Sequence, residues 1–276
     1  MGNFLKRFIR NRMAAAGVAW VLMLLLVGFT APWMSTGDPL RVGANAFAAP
    51  GAAYWFGTDN QGRDIWSGIM HGTRVSLAVG FLAAVTSNLI GIAVGSAAGF
   101  HGGRADAFLM RLTELFQIMP RFFLALIIIA LFGAGIGKII LVIGILSWPP
   151  TARLIRAEFL TLKGRDFVEA ARASGMGNFA LCLRHILPNA LPPAVVTGSL
   201  EIAQAILLEA SLSFFGLGDP NLVSWGSMLY NAQGYLRFGW WMSVFPGVAI
   251  FLAVIAFNLV GDGVNDALNP KTRART

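Results

Sequence analysis

Six apolar runs alternate with polar segments along this chain, at roughly residues 13–34, 75–99, 107–132, 136–153, 190–215 and 241–262. Within each run the apolar residues are continuous rather than alternating, so each reads as a helix and not as a half-buried strand. Each is close to the ~20 apolar residues that cross a bilayer as a helix. A lipid environment leaves every backbone polar group to be satisfied internally, and a helix does so. The pattern predicts an all-α integral membrane protein of six transmembrane helices. Two polar segments are long: about 40 residues rich in Gly, Asp and Pro after the first run, and a charged island from Arg153 to Asn189 between the fourth and fifth. The other links are short.

Composition agrees, with 56% hydrophobic and 12% charged residues against about 25% charge in soluble domains. A net charge of +8 invites a nucleic-acid reading, but the basic residues sit at the ends of the runs. With the N-terminus inside, fifteen of the 21 Lys and Arg fall on inner segments: Lys6, Arg7, Arg10 and Arg12; Arg104 and Arg111; Arg153, Arg156, Lys163, Arg165, Arg172 and Arg184; Lys271, Arg273 and Arg275. Only Arg41, Arg63, Arg74, Lys138 and Arg237 fall outside, and Arg121 lies within a run. The positive-inside rule then places both termini and the charged island in the cytoplasm. The run from Met13 to Met34 is long enough to span and lacks an A-x-A site, so it reads as a retained helix rather than a signal peptide. Cys182 is the single cysteine, which excludes an intrachain disulfide and a Cys-based metal cage. His71, His101 and His185 are scattered, without the spacing of a metal site, so no metal is expected.

The runs are not uniformly apolar. Glu114, Arg121, Glu201, Gln204 and Glu209 fall within or at the ends of them. Ionisable groups are costly in lipid, so Glu114, Glu201, Gln204 and Glu209 are candidates for a polar pathway or a bundle interior. Helix packing with interfacial snorkelling is the competing account. Gly91, Gly95 and Gly99 recur every four residues and predict a close-packing helix face.

The charged island carries ordered local signals. Asp166 can cap a helix, with Glu169 three residues on to close a capping box. That helix is expected over Phe167 to Ser174, stopping at Gly175. Asn178 can cap a second, Phe179 to Leu187, which Pro188 would end. Arg165, Glu169 and Arg172 share a face, and Ala170, Ala171 and Ala173 keep the helix thin enough to enter a groove on a partner. A solvated, topology-setting loop is the alternative. A DNA-reading helix-turn-helix has the same outline, but its second helix, FALCLRH, is nearly all apolar where base and phosphate contacts need polar side chains.

EAARASG (Glu169 to Gly175) followed by HILPN (His185 to Asn189) resembles the cytoplasmic signature of ABC importer permeases, EAA-x3-G-x9-I-x-LP, with His185 standing at the consensus Ile. WFGTDNQGRDIWSGIMHGTRVSL (Trp55 to Leu77), LLEASLSFFGLGDPNLVSWGSML (Leu207 to Leu229) and FPGVAIFLAVIAFNLVGDGVNDALNPK (Phe245 to Lys271) resemble the oligopeptide, dipeptide and nickel permeases, in particular their C-type subunit. Gly68, Val223 and Asn269 depart from Arg, Pro and Asp common at those places.

The resemblance implies the type I ABC importer permease fold. It implies an N-terminal helix and external loop over 1–74, a core of five spans over 75–265 with a coupling loop at 154–189, and a short cytoplasmic tail over 266–276. Coupling to the ATPase would fall to Glu169, Ala170, Ala171, Gly175, His185, Leu187 and Pro188. The implied partners are a second homologous permease, two ATPase subunits or domains that use ATP and magnesium, and an extracytoplasmic substrate-binding protein. Asp59, Arg63 and Asp64 are candidates for contact with that binding protein, or for local bonds that fold the loop. The chain has no P-loop G-x-x-x-x-G-K-[ST], and is expected to bind no cofactor and catalyse no reaction itself. A membrane enzyme would need a motif such as G-x-S-x-G or HExxH, and neither occurs. An ion-coupled secondary transporter would use Glu114, Glu201 and Glu209, and an internal inverted repeat would support it. Di- and oligopeptides lead as substrates, with nickel chelates and glutathione-like solutes as alternatives.

Overall fold

The computed structural model describes Phe8 and residues 10–268. Lys6, Arg7, Lys271, Arg273, Arg275, Asn269 and the tail beyond Leu268 lie outside the described residues. The chain forms α1 (Arg12–Met34), α2 (Ile65–His101), α3 (Gly103–Ile118), α4 (Arg121–Phe132), α5 (Ile136–Ser147) and α6 (Pro149–Lys163). These are followed by α7 (Asp166–Ala173), α8 (Asn178–Leu181), α9 (Leu187–Leu212), α10 (Trp225–Ala232) and α11 (Trp241–Leu268). A single π-helical turn joins α8 to α9 (Cys182–Ile186) and another follows α9 (Ser213–Leu217). Four helices are long and apolar enough to cross a bilayer alone, and the bent pairs α3–α4 and α5–α6 bring the total to six.

Three expected boundaries move. The second span starts at Ile65, not 75, because the Asp64 carboxylate accepts a bond from the Ser67 amide at 3.1 Å and caps the helix there. The boundary expected at residue 74 therefore falls inside α2. At about 1.5 Å per residue its 37 residues reach about 55 Å, well beyond a ~30 Å hydrocarbon core. The third span is not continuous: α3 and α4 meet at 83°. Pro120 has no amide to donate and forces Met119 into an extended conformation, φ −85° and ψ 131°. The fourth span bends by 41° at Trp148–Pro149–Pro150 and then runs on to Lys163, so the first part of the charged island continues a membrane helix.

The Gly91, Gly95 and Gly99 face packs against α6. A Cβ on Gly91 would stand 2.6 Å from the Thr151 Cβ, one on Gly99 would stand 2.5 Å from the Phe159 Cβ, and one on Gly95 would run into the Ala152 carbonyl. Backbones can approach this closely only because those side chains are absent. One apolar core joins Val79, Ala125, Ile129, Ile139, Ile143 and Ala205 across α2, α4, α5 and α9. Another joins Leu24, Leu77, Ile206, Trp225 and Ile250, tying α1 and α11 to the centre. The long loop after α1 folds onto α10 and α11, where the Trp241 indole donates to the Thr58 carbonyl at 3.0 Å.

Candidate functional site

The charged island forms a rigid two-helix element rather than a tether. Val168 and Ala171 of α7 face inward and join Ile155, Phe159, Leu181, Ile186 and Ala190 in one buried cluster. That cluster fuses α6, α7, α8 and the start of α9. α7 ends in a Schellman turn: the Gly175 amide donates to the Arg172 carbonyl at 3.0 Å and the Met176 amide to the Ala171 carbonyl at 3.3 Å. Gly175 has φ +83°, the left-handed conformation that glycine adopts without penalty. What remains outside is Glu169, Ala170, Arg172 and Pro188, with the rings of Phe167 and, at 77% exposure, Phe179. His185 and Leu187 are half-buried beside them.

Three local expectations fail here. Asn178 does not cap the second helix: Gly177 takes the capping position, with no side-chain cap, and Asn178 is the first helical residue. Asp166 does not cap α7: Arg165 is the capping position, with no side-chain cap, and Asp166 enters the first turn, where its charge suits the helix dipole. Pro188 does not end the second helix. It occupies the first turn of α9, where its missing amide is tolerated, and the π turn lets the Leu187 amide bond the Cys182 carbonyl. α8 and α9 thus run on as one helix from Asn178 through Leu212, and the left-handed Gly216 (φ +82°) breaks the turn that follows.

The polar residues of the spans separate into different settings. Glu114 sits on an exposed face and pairs with Arg111 at 3.0 Å. Glu201, with a side chain 12% exposed, meets Arg121 across the bundle at 3.3 Å. Gln204 lies three residues on and is exposed. Glu209 is 1% exposed, and one of its oxygens accepts from the Ser213 hydroxyl at 2.6 Å. In the loop between α1 and α2, Asp59 accepts from the amides of Gln61 and Arg63, both at 2.8 Å, and Asp64 holds Ser67 and Thr36. Both carboxylates are committed to shaping the loop. Asp64 Oδ1 and Arg63 Nε are both buried without a hydrogen-bond partner. Among the described residues no group of three or more His, Cys, Asp or Glu side chains could hold a metal ion.

Sequence reasoning missed a clamp at one end of the bundle. Arg156 of α6 reaches Asp106 of α3 through two nitrogens, with Nη2 at 2.6 Å, and Lys163 donates to the Phe100 carbonyl at the end of α2. A bidentate Arg–carboxylate pair of this kind fixes orientation as well as distance. The partners are 50 and 63 positions apart. Their basic members were visible only as charges setting topology.

Comparison with known proteins follows this geometry closely. The family described as binding-protein-dependent transport system inner membrane component matches residues 91–274, and the N-terminal TM domain of oligopeptide transport permease C matches residues 1–50. The chain is 38% identical over 279 residues to the glutathione transport system permease protein GsiD of Pectobacterium atrosepticum, covering 99% of this chain and 91% of that one. It is 37% identical over 279 residues to the di/tripeptide transport system permease protein DppC of Pseudomonas aeruginosa, covering 98% and 92%. A crystal structure of an amino acid ABC transporter superposes with a TM-score of 0.54 over 71% of this chain and 91% of that chain, at 18% identity, a likeness of fold alone.

Proposed function

Since the chain belongs to the family of binding-protein-dependent transport system inner membrane components, we propose that it lines the membrane path for di- or oligopeptides and takes its energy from ATPase subunits docked on α7 and α8. The peptide class rests on relatives named for di/tripeptide and glutathione transport that align along almost the whole chain. The glutathione relative makes glutathione-like solutes the second reading.

One observation carries the coupling half of the proposal: α7 and α8 keep Glu169, Ala170 and Phe179 exposed while Val168, Ala171 and Leu181 bind them rigidly to α6 and α9. An exposed aromatic ring beside a carboxylate on a polar face suits a desolvated protein contact. Rigid attachment lets a push on that face travel into the spans. Gly175 sets the turn between the helices, and His185, Leu187 and Pro188 form the root where α8 continues into α9. On this reading ATP and magnesium are used by the partner ATPase pair, and this chain hydrolyses nothing.

The remaining parts of the proposal follow. Both termini and the α7–α8 element face the cytoplasm, as the distribution of Lys and Arg favours. The chain up to residue 64 acts as an added helix and external loop on a core of five spans that starts at Ile65, with a short tail after it. A second, homologous permease pairs with this one, and an external binding protein delivers solute to the loop side. Asp59, Arg63 and Asp64 shape the loop on which that protein would dock. The test is co-purification: membranes solubilised with this chain tagged should bring down an ATPase and a second permease. Recovery of the chain alone, or as a homodimer active in transport, would refute the assembly.

A further inference from the structure

Both broken spans open onto one cavity. The break at Met119–Pro120 and the one at Trp148–Pro149 border a space of about 350 Å3 lined by Gln117, Met119, Arg121, Pro149 and Pro150. Small-solute pockets begin at about this size. Arg121 stands at the first turn of α4 with its side chain 43% exposed, and Glu201 approaches it from α9. Their single contact, at 3.3 Å, uses one of five guanidinium donors. The rest of the Arg121 fork is left for another partner. Gln117, on the cavity wall at the end of α3, and Gln204, one turn from Glu201 on α9, add two exposed side-chain amides. The carbonyls of the last turn of α3, which ends at the break, have no partners within that helix and carry the negative end of its dipole.

We propose that Arg121 and Glu201, with Gln117 and Gln204, form a binding station for the two charged ends of a zwitterionic, amide-bearing solute on its way through the membrane. The inference rests on the peptide path proposed above and names the side chains that hold the solute. The solute carboxylate takes the free edge of the Arg121 fork, the geometry in which Arg binds carboxylates best. Its ammonium group takes Glu201 and the terminal carbonyls of α3. Its peptide groups exchange hydrogen bonds with Gln117 and Gln204. In the absence of solute, the two charges satisfy one another, so neither is left alone in the apolar interior.

The experiment uses the complete importer, with partner permease, ATPases and binding protein, in proteoliposomes supplied with radiolabelled alanyl-alanine and trialanine. The test variant is Arg121→Gln with Glu201→Gln, which removes both charges together and leaves no lone ion. A merely structural pair replaced by neutral groups is often close to silent. A binding station instead loses roughly tenfold or more of peptide uptake, the order expected when hydrogen bonds to charged groups are lost. Assembly, expression and affinity of the isolated binding protein should be unchanged. If the double variant does not assemble, Glu201→Gln alone, isosteric with the carboxylate, carries the same expectation. Wild-type uptake by an assembled variant overturns the station and leaves the peptide path intact. Failure of the unaltered complex to accumulate either peptide overturns both.

Discussion

Gly175→Val isolates the backbone geometry of the coupling element from everything else. No atom lies within 4 Å of a Cβ built at Gly175, so the substitution meets no steric obstacle, and the cost comes from φ +83° alone. A non-glycine residue held in the left-handed region costs roughly 1–2 kcal/mol, and a β-branched one more. An energy of that size is roughly a five- to thirtyfold change in a local equilibrium. The chain can avoid the cost only by giving up the Schellman turn, and with it the angle between α7 and α8. Gly177, two residues on, is the internal control. It is equally free of neighbours but has φ −65° and ψ 149°, which valine adopts readily. The assay is the amount of ATPase recovered with the tagged permease, alongside uptake at matched membrane levels. Gly175→Val should lower both, Gly175→Asn should lower them less because asparagine tolerates the left-handed region, and Gly177→Val should match wild type. Equal recovery from Gly175→Val and wild type would refute the reasoning. Equal loss from Gly177→Val would assign the effect to surface bulk instead of backbone.

Three further outcomes are expected. Glu169→Lys reverses an exposed charge on α7 and should reduce ATPase recovery, because truncating or opposing a desolvated interfacial charge costs about 2–5 kcal/mol; unchanged recovery would remove Glu169 from the interface. Gly95→Ala drives a Cβ into the Ala152 carbonyl and to 2.9 Å from the Ile155 Cβ, an overpacking worth about 1–3 kcal/mol, so the purified complex should melt several degrees lower, whereas Gly247→Ala, with open space around it, should not. In a Cys182→Ser background, an impermeant maleimide added to intact cells should label a cysteine placed at exposed Gln61 and spare one placed at Gly177; the reverse pattern would invert the topology.

Much of the architecture is legible in the sequence because lipid imposes a one-dimensional code. The six apolar runs and the Gly91–Gly95–Gly99 face all correspond to helices and contacts in the structure. What escapes that code is local geometry decided by competition. Ile65 to Arg74 holds His71 and Arg74 and looks like loop, yet the Asp64 cap and packing against α10 make it helix. Pro188 reads as a helix end and Pro120 as the interior of a span, and the structure reverses both. Pro120 bends the chain by 83° while Pro188 is absorbed in a first turn, because a π turn precedes Pro188 and an extended Met119 precedes Pro120. Gly175 was readable as a turn from its place after a short alanine-rich helix. The Arg121–Glu201 and Arg156–Asp106 pairs were not, since nothing along the chain links positions 80 and 50 residues apart.

The central claim is that transport through this chain is driven by an ATPase docked on α7 and α8. Its most direct test is accumulation of radiolabelled trialanine in proteoliposomes holding this chain, its partner permease, the ATPases and the binding protein, with ATP supplied on the side that bears Gly177. Accumulation should require ATP, should disappear when the ATPase is omitted, and should fall with Gly175→Val. Accumulation driven by an ion gradient without the ATPase would contradict the account.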